Sequence, residues 1–430
     1  VTKSPSLIHY PATIMPDPSR TIARPFVPGY PEGHGPADRS RVDVIVARIL
    51  ALGERELDAE LADISHSLDE RHNEVEGMLM RRYEALAAEL GIGGEINDRQ
   101  RLLIGSYFTQ EYSFEAAALF NPSAVLHPDQ LDVPEGGVRF VMSLRAIGEG
   151  HVSSLSFRTA VWTPGGPLEI DPVGPTTQPP VVEQGRDCDT TFVELHCGGS
   201  RVISETVLFP VTPSQRQGIE DVRMVRFVDD DGAVTYYGTY TAFDGREARS
   251  EMLVGNDFHG FDMRLLRGDA VKNKGMALFP RRVGGRYAML GRQDNENIWL
   301  LTSDDVFEWS GGVKVVEPRY PWEFVQMGNC GSPIETAEGW LVLTHGVGKV
   351  RNYAIGACLL DKDDPTRLLA RTPKPILAPT KDQRDGYVPN VVYSCGALAV
   401  GRDILIPYAV ADSFTAFAAT TVDALLAAME

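Results

Sequence analysis

The run from Gly218 to Phe227, GIEDVRMVRF, sets two carboxylates side by side with an arginine two residues further on. It reads as the entrance of a strand. Neighbouring strand residues face opposite ways, so Glu220 and Asp221 are expected on opposite faces and Asp221 and Arg223 on one. One acid beside a cation is then the unit to explain. The plain alternative is a solvated turn before a strand. Other polar residues fall at the ends of comparable runs: Asn121 and Arg145, Arg292 and Asp294, His345, and Asp412, with Lys274 in KNKGMALFP. Cations outnumber acids in this set, although the whole chain is acidic. A local excess of positive charge suits a small anion such as phosphate, or a substrate carrying one. Each member also has a structural explanation. The arginines could pair between strands, His345 could be a hydrogen-bonded core residue, Lys274 a loop lysine, and Asp412 a turn cap.

These residues need a scaffold, and the sequence supplies its pattern after residue 115. Five times a short apolar segment is followed by a turn and an alternating strand. FNPSAVLHPDQ precedes VRFVMSLRAIG, IEDVRMVRFVDDDG precedes VTYYGTYTAFD, and ALFPRRVGG precedes RYAMLGRQD. GSPIETAEG precedes WLVLTHGVG, and VPNVVYSCGALAVGRD precedes ILIPYAVAD. Asp231-Gly232, Gly284-Gly285, Glu338-Gly339 and Gly401-Arg402 mark hairpin turns. Repeated units of this kind predict a mainly β chain built as a five-bladed β-propeller over residues 115–430. A β-sandwich or two smaller β domains would use the same signals. Inner strands of a propeller converge on one channel, which would gather the polar residues named above.

Residues 1–37 are rich in proline and glycine and read as an extended N-terminal arm. Residues 38–114 read as an added N-terminal α-helical region. Leu57, Leu61, Ile64, Leu68, Val75, Leu79, Leu86 and Leu90 recur at helical spacing, which predicts two helices with a break near Gly53. Asn97 or Asp98 would cap a further helix through Tyr107. Such a stripe must be buried against the main domain or a second subunit, so a homo-oligomer formed through the helical extension is expected.

The 430 residues carry a net charge of −18, which argues against a nucleic-acid partner. Five cysteines, Cys188, Cys197, Cys330, Cys358 and Cys395, include no C-x-x-C pair, so neither a disulfide framework nor a zinc site is signalled. No apolar run approaches the roughly 20 residues of a membrane span, and the start lacks the order of a signal peptide. A cytoplasmic setting without membrane, metal or cofactor is expected.

The motifs GIEDVR, NKGMALFP, IWLLTSDDVFEW, GSPIETAEGWLVLTHGVG, GACLLDKDDP and GYVPNVVYSCGA through PYAVADS resemble, in this order, those of glycoside hydrolase family 130, the mannoside phosphorylases and related β-mannosidases. The resemblance covers roughly residues 115 to 420. It implies a five-bladed propeller that cleaves a β-mannoside with inversion, inorganic phosphate serving as co-substrate and α-mannose 1-phosphate as product. By the family's pattern Asp221 matches the general acid, delivering its proton through a hydroxyl of the bound mannose. Asn121, Arg145 and Asp412 match sugar-binding positions, with Asp294 expected beside them. Lys274, Arg292 and His345 match the phosphate-binding set. Val222 stands where the family has a proline, and Gly291-Arg292-Gln293 where it has His-Arg-Pro. A β-mannosidase on the same fold, or a noncatalytic sugar-binding propeller, would fit part of this pattern.

Overall fold

The computed structural model describes residues 5–32, 40–92, 95–187 and 190–430; Cys188 and the expected boundary at residue 38 lie outside them. The chain is mainly β, with helices toward its N-terminus, and divides into two compact units. One comprises Pro18–Phe114 with Pro175–Gln178. The other comprises Val1–Asp17, Glu115–Gly174 and Pro179–Glu430. No helix among the described residues is long and apolar enough to cross a membrane.

Strand β1 (Ile8–Ile14) belongs to the larger unit. The smaller unit follows, with β2 (Thr21–Pro25), α1 (Arg41–Leu50), α2 (Glu54–Leu68), α3 (Val75–Leu90), α4 (Asp98–Tyr107) and β3 (Thr109–Ser113), which pairs with β2. Reciprocal side-chain and backbone hydrogen bonds start α1 at Ser40 and Asp43 and α4 at Asn97 and Gln100. The stretch read as two helices holds three. Gly53 breaks it as expected, and a second break precedes α3, where Glu74 adopts a left-handed conformation that no apolar spacing reveals. The stripe closes on its own unit. Leu57 and Leu86 pack with Val46, Leu103, Ile104 and Phe108, so its burial requires no second copy.

The larger unit is built from sheets that follow one another along the chain. β4 (Ala118–Leu126), β5 (Val138–Ile147), β6 (Ser153–Trp162) and β7 (Leu168–Ile170) form the first meander. An excursion through β8 (Val181–Asp187), β9 (Thr190–His196) and β10 (Val207–Leu208) leads to the second, β11 (Gly218–Val228), β12 (Val234–Phe243), β13 (Ala248–Gly255) and β14 (Gly260–Leu265). The β8–β9 hairpin adds to the outer edge of β14, an extension that the sequence pattern does not announce. A single parallel backbone pair, Gly218 with Ser153, joins the first two meanders into one sheet. A Cβ at Gly218 would lie 2.1 Å from Ser153 Oγ, so only glycine permits that approach.

The third sheet is β15 (Ala277–Leu278), β16 (Tyr287–Gly291), β17 (Ile298–Ser303) and β18 (Val313–Val316). The fourth is β19 (Gln326–Asn329), β20 (Ile334–Glu335), β21 (Trp340–Val347), β22 (Tyr353–Leu360) and β23 (Leu368–Arg371). The last holds β24 (Val392–Tyr393), β25 (Leu398–Val400), β26 (Asp403–Val410) and β27 (Phe414–Thr421), and takes β1 as its edge; α5 (Val422–Ala427) follows. All five expected hairpins are present, and Gly232, Gly284, Gly285 and Gly401 take the positive φ their turns require.

Apolar clusters join neighbouring sheets in cyclic order. Phe157 and Ile219 share a cluster between the first and second, Phe227 and Leu278 between second and third, and Leu290 and Trp340 between third and fourth. Leu343 and Ile406 link the fourth to the last, while Phe120, Tyr393 and Ala409 bring the last back to the first.

Candidate active site

A cavity of about 150 Å³ opens among the inner strands of the larger unit, room for about five waters and hence for a small ligand. Asn121, Arg145, Asp221, Lys274, Arg292, His345 and Asp412 line it together with Arg223, Arg351, Tyr353 and Tyr393. Seven of the eight side chains singled out from the sequence are therefore in one place. Asp294, expected beside the sugar, is not among the lining residues. Its carboxylate accepts hydrogen bonds from the backbone N–H of Glu296 and Asn297 and from Asn297 Nδ2 at 2.7 Å, and it closes the turn before β17. Burial opposes its charge, yet these bonds hold its pKa down at about 2, as expected of a turn-capping Asx residue.

Asp221 reaches the cavity through a β-bulge. In the β11–β12 ladder Glu220 opposes Thr241 and Arg223 opposes Thr239, so Asp221 and Val222 together face one residue, and Asp221 has φ +52°. The same irregularity in β4 puts Asn121 at φ +50°, and its Nδ2 donates to Asp221 Oδ1 at 2.6 Å. The bulge overturns the expectation that Glu220 and Asp221 serve opposite faces. Arg145 donates from Nη2 to Glu220 Oε1 at 2.7 Å and from Nη1 to Asp221 Oδ1 at 3.3 Å, and Lys274 Nζ lies 3.7 Å from Glu220 Oε2. Strict alternation fails wherever an extra residue enters a strand.

The cation that shared a face with Asp221 on paper turns across the cavity. Arg223 donates to the Asp221 carbonyl at 3.3 Å and from Nη2 to the Tyr393 hydroxyl at 2.7 Å. Opposite, Arg292 Nη1 lies 3.1 Å from His345 Nε2, and His345 Nδ1 faces the Asn329 carbonyl at 3.3 Å. Burial, and then the charges of Arg292 and Arg223, push the His345 pKa well below its ordinary value. The ring is thus neutral, with Nδ1–H donating to Asn329 and Nε2 accepting from Arg292. Gly328 makes space for it: a Cβ there would come within 2.5 Å of His345 Cε1. Among the described residues no carboxylate pairs with Arg292, which is 7% exposed.

The carboxyl groups of the cavity differ in charge. Burial would raise Asp221, but Arg145, Lys274, Arg223 and the Asn121 hydrogen bond outweigh it and hold the group below its ordinary value. Burial and the nearby Asp221 charge raise Asp412 to about 7, against the pull of Arg145, Arg351 and Lys274. Sequence reasoning missed Arg351, Tyr353 and Tyr393. A signal for Arg351 existed, since GKVRNY between β21 and β22 repeats the corner GEGHVS between β5 and β6. Val350 and Arg351 have φ +57° and +52°, where Gly150 and His151 have +70° and +58°. The one group among the described residues with metal-ligand geometry, Glu183, Glu194 and His196, is on the β8–β9 hairpin, away from these residues.

An acidic residue beside a buried cation cluster, in a small cavity on a sheet scaffold, defines a site for a polar ligand with an anionic group. The Glyco_hydro_130 family, described as beta-1,4-mannooligosaccharide phosphorylase, matches residues 200–430. The chain belongs to glycoside hydrolase family 130, the mannoside phosphorylase family. It is 33% identical over 216 residues to a 1,2-beta-oligomannan phosphorylase of Thermoanaerobacter sp. (strain X514), covering 49% of this chain and 71% of that protein. The solved structure of beta-1,2-mannobiose phosphorylase from Listeria innocua, in complex with beta-1,2-mannobiose, aligns with a TM-score of 0.53 at 22% identity, over 73% of this chain and 92% of that one. A structure from work on glycoside hydrolases within this family that target beta-1,2 mannosidic linkages in Candida mannan aligns with a TM-score of 0.53 at 20% identity, over 73% and 87%.

Proposed function

We propose that this protein is an inverting β-mannoside phosphorylase on a five-bladed propeller. The cyclic packing of five sheets, the last closed by β1, supports the propeller. The observation that carries the activity is Arg292, a buried guanidinium set against a neutral histidine rather than a carboxylate. An unpaired buried cation is costly, and an anionic co-substrate offsets that cost. Lys274, Arg292 and His345, joined by Arg223, hold the phosphate in line with the anomeric carbon. Asn121, Arg145 and Asp412 hold the mannose.

In the reaction a phosphate oxygen attacks C1 from the face opposite the leaving group. The C1–O bond to phosphate forms, the glycosidic C1–O bond breaks, and the leaving oxygen takes a proton from a mannose hydroxyl, which is reprotonated by Asp221. The products are α-mannose 1-phosphate and the freed acceptor. Asp221 must be protonated to act, and two of the cations that hold it ionised, Lys274 and Arg223, are ones a phosphate anion would offset. Bound phosphate therefore raises the acid toward its working state. A second reading, β-mannosidase, draws support from Asp412 as a second carboxyl in the cavity. An inverting hydrolase needs an ionised base opposite a protonated acid. Here the pKa of Asp412 is raised and that of Asp221 lowered, the reverse of that requirement.

Incubation with β-1,2- and β-1,4-mannobiose, with and without phosphate, tests the proposal. The expected result is α-mannose 1-phosphate from one of them, in the presence of phosphate alone. Equal rates of mannose release without phosphate would make the protein a hydrolase.

A further inference from the structure

Glu220 has no role in the reaction as just written, yet the β11 bulge brings it to the same two cations that face the acid. Its carboxylate is 14% exposed and meets Arg145 at 2.7 Å, closer than the 3.3 Å between Arg145 and Asp221. Lys274 contacts Glu220 at 3.7 Å and also acts on Asp221 through its charge. The charged and titratable groups around Asp221 come from every neighbouring element: Arg145 from β5, Arg223 and Glu220 from β11, and Lys274 ahead of β15. Arg292 follows β16, His345 comes from β21, Arg351 from the corner after it, Tyr393 from β24, Cys395 beyond it, and Asp412 from the β26–β27 corner. Among these, Glu220 is the carboxylate that directly engages both Arg145 and Lys274.

We propose that Glu220 is a positioning residue that takes up part of the charge of Arg145 and Lys274, so that Asp221 can carry the proton it delivers. The proposal rests on Asp221 being the general acid. Its physical content is electrostatic. A nearby opposite charge depresses a carboxyl pKa by about 1–3 units. Neutralising Glu220 leaves more of the charge of Arg145 and Lys274 uncompensated beside Asp221, so the acid loses its proton at lower pH.

The test is the pH profile of kcat/KM for phosphorolysis of the mannobiose that serves as substrate, at saturating phosphate, with the full chain. In Glu220→Gln the alkaline limb should move down by about one pH unit, giving about a tenfold loss above it and a near-normal rate below it. Glu220→Asp keeps the charge and should return the limb toward its original position. Lys274→Met removes one shared cation, and its limb should move up. A merely structural role would lower the rate evenly at all pH values. An unshifted limb in Glu220→Gln, or, should that variant fail to fold, a limb that stays or falls in Lys274→Met, overturns the proposal. Asp221→Asn separates the two readings. If it retains activity the assignment of the acid fails; if it is inactive while the Glu220→Gln limb stays in place, only the role of Glu220 fails.

Discussion

Strands β4 and β11 use one backbone device for two chemical ends. Each admits an extra residue at the same point, between Phe120 and Ser123 in one and between Glu220 and Arg223 in the other. Each holds the displaced residue in the left-handed region, at φ +50° and +52°. That conformation costs roughly 1–3 kcal/mol for a residue with a side chain, and Asn and Asp bear it best. In β4 the device offers an amide flanked by buried Phe120; in β11 it offers a carboxylate flanked by Glu220. The amide then donates to the carboxylate. The bulge aims a side chain, and the residue type at its apex and the charge beside it decide what the side chain does.

Making the two bulges alike should have the largest effect. Asp221→Asn leaves an amide at both, keeps the shape and removes the transferable proton, so both phosphorolysis and synthesis from α-mannose 1-phosphate should fall by about 10²–10⁴-fold. Loss in one direction alone would contradict a shared transition state. The converse change, Asn121→Asp, puts two carboxyl groups at a contact now 2.6 Å long, where both cannot ionise. Activity should fall by about 10–100-fold at neutral pH and recover partly in acid, a profile that steady-state rates would show. Removing the amide altogether, in Asn121→Ala, should cost about tenfold, or about 1.4 kcal/mol, near the lower end for a charge-assisted bond.

Asp412 sharpens the comparison as a third left-handed residue of the cavity, at φ +50°, but among the described residues it has no partner amide like Asn121. Its folded pKa of about 7 lies above that of the unfolded chain, so the protein gains stability from it in acid and loses that contribution as pH rises through about 7. Asp412→Asn should therefore raise the melting temperature above pH 7 relative to the parent and change little near pH 4. Melts across that range would show the crossing. A constant offset at all pH values would mean that Asp412 ionises freely.

Much of this was legible from residue order. Turn glycines located the hairpins, apolar spacing located the helices, and the strand ends delivered Asn121, Arg145, Asp221 and His345 to one cavity. The failures have physical causes. Period-two alternation misplaced Glu220 because a bulge inserts one residue without any apolar signal. Asp294 resembled a site acid because a turn-capping aspartate and a catalytic one are the same residue at the same end of a strand. Arg351 and Tyr393 enter the cavity through a strained corner and a distant strand, and local periodicity reports neither.

The pairing of β1 with β27 also sets a schedule. Ser6 and Thr420, bonded across this closure, stand 414 residues apart. At about 5–20 residues per second, β1 waits roughly 20–80 s on the ribosome for its partner strand. A waiting strand with unpaired backbone groups is an invitation to wrong pairing. Pro11 lies within β1, at an irregularity in its register between His9 and Thr13, and removes a donor from the strand's hydrogen-bonding row. The residue that makes β1 a poor template for strangers leaves enough of its ladder intact for the one partner that arrives last.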